Sequence, residues 1–298
     1  MLKNFGQMEQ FVREQSGKKR VALAAAHDAD ALGSLMMAVD RGIAEAILIG
    51  RRKEIVRVLD EMGKGAGDFR IIEEEDDRAA ADKAVELVHC GEADMPMKGL
   101  MHTSTFMKAI LDKEKGLKEE GNLLSQASVF EIPEKDRFLI ISDCAVNIDP
   151  DLETKIKITE NAAALAHTLG IEQPKIAVLS AVEVVNPKIR STVDAAAMRE
   201  RLSDRYLIDG PLALDNAIDE AAAHHKGIES PVAGNADILI VPDLWSGNIF
   251  SKGLVFFAHL RSAGTLNGLK APVVMSSRTD TVENKYLSIL TAVLQTIR

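Results

Sequence analysis

Short apolar runs alternate with stretches of helical periodicity along almost the whole chain, and this alternation limits the folds open to it. Strands are predicted over residues 20–26, 46–50, 69–73, 94–99, 127–132, 138–143, 175–182, 206–209, 238–242 and 272–277. Helices are predicted between them, among others over 28–41, 79–89, 151–169 and 252–262. Strands separated by helices pair in parallel through right-handed crossovers. A parallel sheet is covered on both faces, so its strands must be apolar throughout. The composition agrees: hydrophobic residues make up 46% and aromatic residues only 4%, which leaves an aliphatic core. The low aromatic content also argues against a stacking platform for single-stranded nucleic acid. At 298 residues the chain is long for one domain and comfortable for two. Pro133 breaks regular structure near 132–136, where a domain boundary is expected.

Net charge is −9, so neither nucleic acid nor an anionic membrane is attracted globally, and any positive potential must be local. The two cysteines, Cys90 and Cys144, read as reduced thiols. Residues 1–6 lack a signal-type apolar core, and no apolar run approaches the ~18 residues of a membrane span. A cytoplasmic protein is expected.

The local positive potential is sought where strands run into helices. Ile238-Leu239-Ile240-Val241-Pro242-Asp243 leads into Ser246-Gly247-Asn248 and an apolar helix carrying Lys252. Free N–H groups and the positive end of the helix dipole favour an anion at such a corner. A helix start capped by Ser246 or Asn248 is the simpler reading of the same residues. A second corner is Ser277-Arg278-Thr279-Asp280-Thr281-Val282-Glu283. Asp280 and Glu283 have the spacing of a capping box. Arg278 lies between strand end and cap, over the carboxyl edge of the sheet where α/β proteins bind ligands. Its planar guanidinium suits phosphoryl or carboxylate groups. A third corner, Lys98-Gly99 followed by His102-Thr103-Ser104 and Lys108, offers two lysines and a histidine that reads as acid or base, cap or packing residue. A fourth, Ser142-Asp143-Cys144 with Asn147, offers a thiol beside a carboxylate, which favours a buried structural cysteine over a nucleophile. Dinucleotide, P-loop, zinc-protease and esterase motifs are absent.

With these residues in view, the sequence resembles the phosphate acetyl/butyryl transferase family, above all its phosphate butyryltransferase branch. The resemblance is carried by Pro242-Asp243, Gly247-Asn248 and Lys252 with Leu254-Val255-Phe256-Phe257-Ala258-His259. It is carried equally by Ser277-Arg278 with Asp280, Lys98-Gly99 with Thr103-Ser104, Ser142-Asp143 with Asn147, and Asp209-Gly210-Pro211 with Asp215. It extends from about residue 20 to the C-terminus.

The resemblance implies reversible transfer of a short acyl group between coenzyme A and inorganic phosphate. It also implies two α/β domains, each a mostly parallel sheet flanked by helices, with the active-site cleft between them, as in isocitrate and isopropylmalate dehydrogenases. The first domain is expected over 1–135 plus 279–298, where the final helix packs back, and the second over 136–278. Coenzyme A and phosphate are substrates, and no permanently bound cofactor or metal is implied. A homodimer or larger homo-oligomer is implied. Arg278, with Ser277 as a hydrogen-bond donor, falls on the family's phosphate- or carbonyl-contacting pair. Lys98, Thr103, Ser104 and Lys108 complete the anion site. Lys108 stands where many relatives carry arginine at a helix start. Ser142, Asp143, Asn147, Asp243, Gly247, Asn248 and Lys252 are the further substrate-binding candidates. The acetyl branch places its thiol base at the position of Asn284, which cannot act as a carboxylate does. Asp280, Glu283, a residue of another segment or the phosphate itself then handles the proton. Two other readings compete: a metal- or nicotinamide-dependent decarboxylating dehydrogenase of related architecture, and a catalytically silent acyl-CoA-binding regulator.

Overall fold

A computed structural model describes residues 1–15 and 17–298. In chain order it runs α1 (Phe5–Glu14), β1 (Lys19–Ala24), α2 (Ala29–Asp40), β2 (Ala44–Gly50), α3 (Arg52–Glu61), β3 (Arg70–Glu73), α4 (Asp77–His89), β4 (Met95–Lys98) and α5 (Thr103–Ile110). Then follow β5 (Ser125–Ile132), β6 (Arg137–Ser142), α6 (Leu152–Thr168), β7 (Lys175–Leu179), α7 (Arg190–Leu202), β8 (Leu207–Leu212), α8 (Leu214–Ile218), α9 (Glu220–His225), β9 (Ile238–Ile240) and α10 (Leu244–Phe256). The chain ends with β10 (Ser262–Asn267) and α11 (Val282–Gln295). Two compact units result: Phe5–Asn122 with Ala263–Arg298, the flanking unit, and Met1–Asn4 with Leu123–Ser262, the central unit. Among the described residues no helix is long and apolar enough to cross a membrane.

The flanking unit has a four-stranded sheet in the order β3-β2-β1-β4, parallel throughout. β4 and the last four residues of β1 are buried, as strands covered on both faces must be. The chain lays down β1, β2 and β3 towards one side, then crosses to place β4 on the other side of β1. Strand order therefore reverses between β1 and β4, and the loops leaving their carboxyl ends part there. Such a switch point is the usual ligand crevice of an open α/β sheet. α11, buried from Asn284 to Leu294, packs on α1 and α2. Tyr286 fixes that contact: its hydroxyl donates to Glu9 at 2.8 Å, and the Arg41 guanidinium lies 4.6 Å from its ring centre.

In the central unit β6, β9, β7 and β8 are parallel neighbours in that order, and β5 is antiparallel to β6. The antiparallel pair departs from the expected parallel pattern. Only the turn around Pro133–Lys135, closed by Asp136 at φ +46°, joins β5 to β6, and a parallel crossover needs a dozen or more residues. Residues 132–136, where a boundary was expected, are thus the tip of one hairpin. Pro211 sits in β8, whose one sheet neighbour is β7, and an edge strand tolerates a residue without an N–H.

Aspartates start four of the longer helices. Asp28, Asp76, Asp151 and Asp243 each accept a hydrogen bond from a first-turn N–H of α2, α4, α6 and α10. Such a cap contributes about 1 kcal/mol. Two expected elements differ. α10 is capped by Asp243, begins at Leu244 and ends at Phe256, so the helix predicted over 252–262 starts two turns late and overruns the end as far as the first residue of β10. The predicted strand over 272–277 is reduced to single bridges at Val273 and Val274, and the strand of this region is β10. Its sequence, Ser-Ala-Gly-Thr-Leu-Asn, lacks the apolar alternation that marks a strand.

Candidate functional site

The carboxyl ends of β1 and β4 bring together the first group of candidates. Gly99 follows β4, and a Cβ there would lie 2.3 Å from the Ala24 carbonyl oxygen and 2.5 Å from that of Ala25. Only glycine permits this approach. The Gly99 N–H donates to Ala24 at 2.8 Å and the Leu100 N–H to Ala25 at 3.1 Å, so the loop after β4 is fastened to the loop after β1. Beside β4, Lys98 N–H donates to the Val274 carbonyl at 3.0 Å, which delivers the segment carrying Ser277, Arg278 and Asp280 to the same edge.

That segment is a closed turn. Asp280 Oδ2 accepts from the Ser277 N–H at 2.7 Å, and the Asp280 N–H donates back to the Ser277 carbonyl at 3.3 Å. The capping box expected of Asp280 and Glu283 is absent. Asp280 is drawn into the turn, and Thr281 caps α11 by accepting from the Asn284 N–H at 3.1 Å. Lys285 reaches back to donate to the Asp280 carbonyl. Arg278 is exposed, and its Nη2 lies 3.2 Å from Nδ1 of His102. A guanidinium only donates, so Nδ1 accepts and any single ring proton sits on Nε2. His102 thus holds Arg278.

Lys98 is 5% exposed and Lys285 3% exposed. Burial, then the charge of Arg278, push the Lys98 ammonium below the ordinary lysine range; Lys285 acts in the same sense, Asp28 and Asp280 against it. A lysine held low in this way costs stability at pH values below the ordinary lysine pKa, and a bound anion offsets that cost. Thr103 and Ser104 form the exposed first turn of α5, where no side chain caps the N-terminus. Lys108 was expected at a helix start but lies in the last turn of α5, one turn beyond Ser104 on the same face. Cβ bonds tilt towards a helix N-terminus, so its stem leans towards Ser104.

The second group lies at the carboxyl ends of β6 and β9, in the central unit. Asp143 is 3% exposed and its carboxylate is fully engaged. Oδ1 accepts from the Ala145 and Val146 N–H groups at 2.8 and 2.9 Å. Oδ2 accepts from Gln126 N–H at 3.1 Å, Asn147 N–H at 3.3 Å and Asn147 Nδ2 at 2.6 Å. Asn147 also donates to the Leu124 carbonyl, and Ser142 Oγ to that of Gln126. The polar atoms of Ser142, Asp143 and Asn147 hold one another and β5 in place. Asp243 caps α10. Gly247 allows that helix to pack on the β6 loop, since a Cβ would lie 2.6 Å from the Asp143 carbonyl oxygen. Asn248 donates to the Cys144 carbonyl at 3.1 Å. Lys252, one turn further on, is exposed.

Cys144 is buried, and burial followed by the charge of Asp143 pushes its thiol up to about 12. Such a thiol stays protonated at neutral pH and is no nucleophile. Cys144→Ala is expected to keep turnover within about threefold. Iodoacetamide at pH 8 is expected to label the exposed Cys90 and spare Cys144, as read by mass spectrometry of the native protein. Loss of turnover in a folded Cys144→Ala protein would restore a covalent route.

Sequence reasoning missed Lys285 and the hold of His102 on Arg278. A signal was present for the first: Lys285 stands in the opening turns of a mostly apolar helix, near the end that repels cations. None was present for the second, because the two residues are 176 positions apart.

The chain is similar to known proteins over nearly its whole length. Residues 74–293 match the family described as phosphate acetyl/butaryl transferase. A phosphate butyryltransferase of Clostridium acetobutylicum is 45% identical, with 99% of this chain and 98% of the relative covered. A phosphate acetyltransferase of Thermotoga maritima is 42% identical, with 95% and 97% covered. The crystal structure of a branched-chain phosphotransacylase from Enterococcus faecalis superposes with a TM-score of 0.83 at 35% identity, covering 93% of this chain and 98% of that one. Identity of this extent over nearly whole chains, on a shared two-sheet α/β fold, means that the chain belongs to the phosphate acetyl/butyryl transferase family.

Proposed function

We propose that the protein transfers a short acyl group reversibly between coenzyme A and inorganic phosphate, with butyryl or branched short chains preferred over acetyl. One observation carries the reading beyond family membership: the switch point between β1 and β4 gathers Lys98, Lys285 and Arg278, a constellation suited to a phosphate dianion.

Phosphate is polyanionic, and so is the thioester it attacks, so repulsion and desolvation oppose the encounter. Cations and fixed N–H groups that hold phosphate near the carbonyl supply proximity. A phosphate oxygen adds to the thioester carbon and a tetrahedral oxyanion forms. Its collapse breaks the C–S bond, and the thiolate leaves with the bonding pair and then takes a proton. In this reading Arg278 orients phosphate and stabilises the oxyanion, with Ser277 donating beside it. Lys98, Thr103, Ser104 and Lys108 add to the anion site. Asp280 closes the turn that presents Arg278, and the proton taken up by the leaving thiolate comes from the attacking hydrogen phosphate. Asn248 and Lys252 bind part of coenzyme A, on a frame built by Ser142, Asp143, Asn147, Asp243 and Gly247. The homo-oligomer that the resemblance implies belongs to the same reading. No permanently bound cofactor takes part.

The test is thiol release from acetyl-, propionyl-, butyryl- and isobutyryl-CoA with and without phosphate, with acyl phosphate trapped as the hydroxamate. Release is expected to require phosphate, to match acyl phosphate one for one, and to favour the four-carbon substrates. Each methylene in an apolar pocket separates substrates by about 1–3 kcal/mol. Preference for acetyl-CoA would reverse the chain-length assignment. Tight binding of acyl-CoA without phosphate-dependent release would favour the silent regulator.

A further inference from the structure

We propose that Lys285 is a phosphate-binding residue, its ammonium forming with Lys98 and Arg278 a three-cation seat for the dianion; this rests on the acyltransferase reading. Lys285 lies in α11, just after the capped turn, where the positive end of the helix dipole disfavours a cation. It is nonetheless 3% exposed, and it acts electrostatically on Lys98, itself 5% exposed. Neither ammonium has a carboxylate within ion-pair distance among the described residues. Lys98 donates to the Gly99 carbonyl at 3.3 Å and Lys285 to the Asp280 carbonyl. Each therefore keeps two of its three donors.

Two carboxylates face the group, and both are held by backbone N–H groups. Asp28 caps α2 through the Asp30 N–H at 3.2 Å, and Asp280 accepts from the Ser277 N–H at 2.7 Å. Arg278 gives Nη2 to His102 and keeps its other donors. Buried charges without ionic partners are costly, and like charges gathered in one place more so. A small dianion seated among the three groups satisfies four free ammonium donors and the open edge of the guanidinium together. Coenzyme A, held elsewhere in this reading, has no need of Lys285.

The experiment is steady-state kinetics of phosphate-dependent thiol release from butyryl-CoA by Lys285→Met and Lys285→Arg, with phosphate binding measured by calorimetry in the absence of acyl-CoA. Lys285→Met is expected to raise the KM for phosphate at least thirtyfold and to leave the KM for butyryl-CoA within twofold. Lys285→Arg is expected to recover phosphate KM to about five times the parent value. A phosphate KM unchanged in Lys285→Met overturns the proposal. Parallel loss in kcat and both KM values also overturns it, because a residue that only props the Asp280 turn gives that pattern. Should Lys285→Met fail to fold, Lys285→Arg decides: a phosphate-specific change supports the assignment and a uniform or absent change overturns it. A parent protein that binds phosphate through Lys285 but releases no thiol from any acyl-CoA sinks the acyltransferase reading alone. A parent that turns over, beside an unaffected Lys285 variant, sinks this assignment alone.

Discussion

Arg278→Lys is expected to keep the fold and to lower acyl phosphate formation by two or more decades. The side chain is exposed and among the described residues it is hydrogen-bonded to His102 alone, so little stability is lost. The loss falls on the transition state. The guanidinium can rest one nitrogen on His102 Nδ1 and still offer a planar edge to phosphate and the developing oxyanion. An ammonium is a point charge that cannot do both in a fixed plane. Removing one preorganised donor of this kind typically costs about 3 kcal/mol of activation free energy, a factor of 10²–10³ in rate. The measurement is kcat for butyryl phosphate formation, with the thermal midpoint as control for folding. Turnover within threefold of the parent would remove Arg278 from the mechanism.

Asp143→Ala is expected to destabilise the central unit by about 3–5 kcal/mol. Four backbone N–H groups, those of Gln126, Ala145, Val146 and Asn147, converge on this buried carboxylate. Each buried donor left without a partner costs about 1–3 kcal/mol, reduced where water can enter. Asp143→Asn is expected to fall between, because an amide oxygen accepts on one side while its NH₂ meets donors on the other. The readout is the urea midpoint followed by circular dichroism. A shift equivalent to less than about 1 kcal/mol would mean that the loop does not depend on this carboxylate. The result also separates roles, since a frame residue lowers stability first and activity as a consequence, whereas Arg278 does the reverse.

Much of this was legible in the chain. The strand-helix alternation predicted the parallel strands, because a strand buried on both faces has to be apolar in its covered stretch, and residues 21–24, 46–49, 95–97 and 138–141 are. Asp28 and Asp151 announced their helices by standing before periodic apolar runs. What escaped was decided by which of several competing partners each polar group takes. Whether Asp280 caps a helix or closes a turn depends on the Ser277 N–H being turned towards it, and Thr281 one residue later takes the cap. α10 starts at Leu244 because Asp243 is free to cap there, while Ser246 and Asn248, which look like caps, are drawn to Asp243 and to the Cys144 carbonyl. β10 is held by partners rather than by its own residues. The resemblance implied a substrate contact for Asp143, and the four backbone N–H groups that converge on it are not legible in the sequence. Lys285 escaped as well, although a cation in the opening turns of a mostly apolar helix is visible in the sequence.

The central claim is that phosphate is held at the switch point of the flanking unit. Arsenate has the shape and charge of phosphate and scatters anomalously, so it reports its own position in a crystal grown without sulfate or phosphate. The strongest anomalous peak is expected within about 3 Å of donor nitrogens of Arg278, Lys98 and Lys285. A peak elsewhere, with that corner empty at saturating arsenate, would contradict the account.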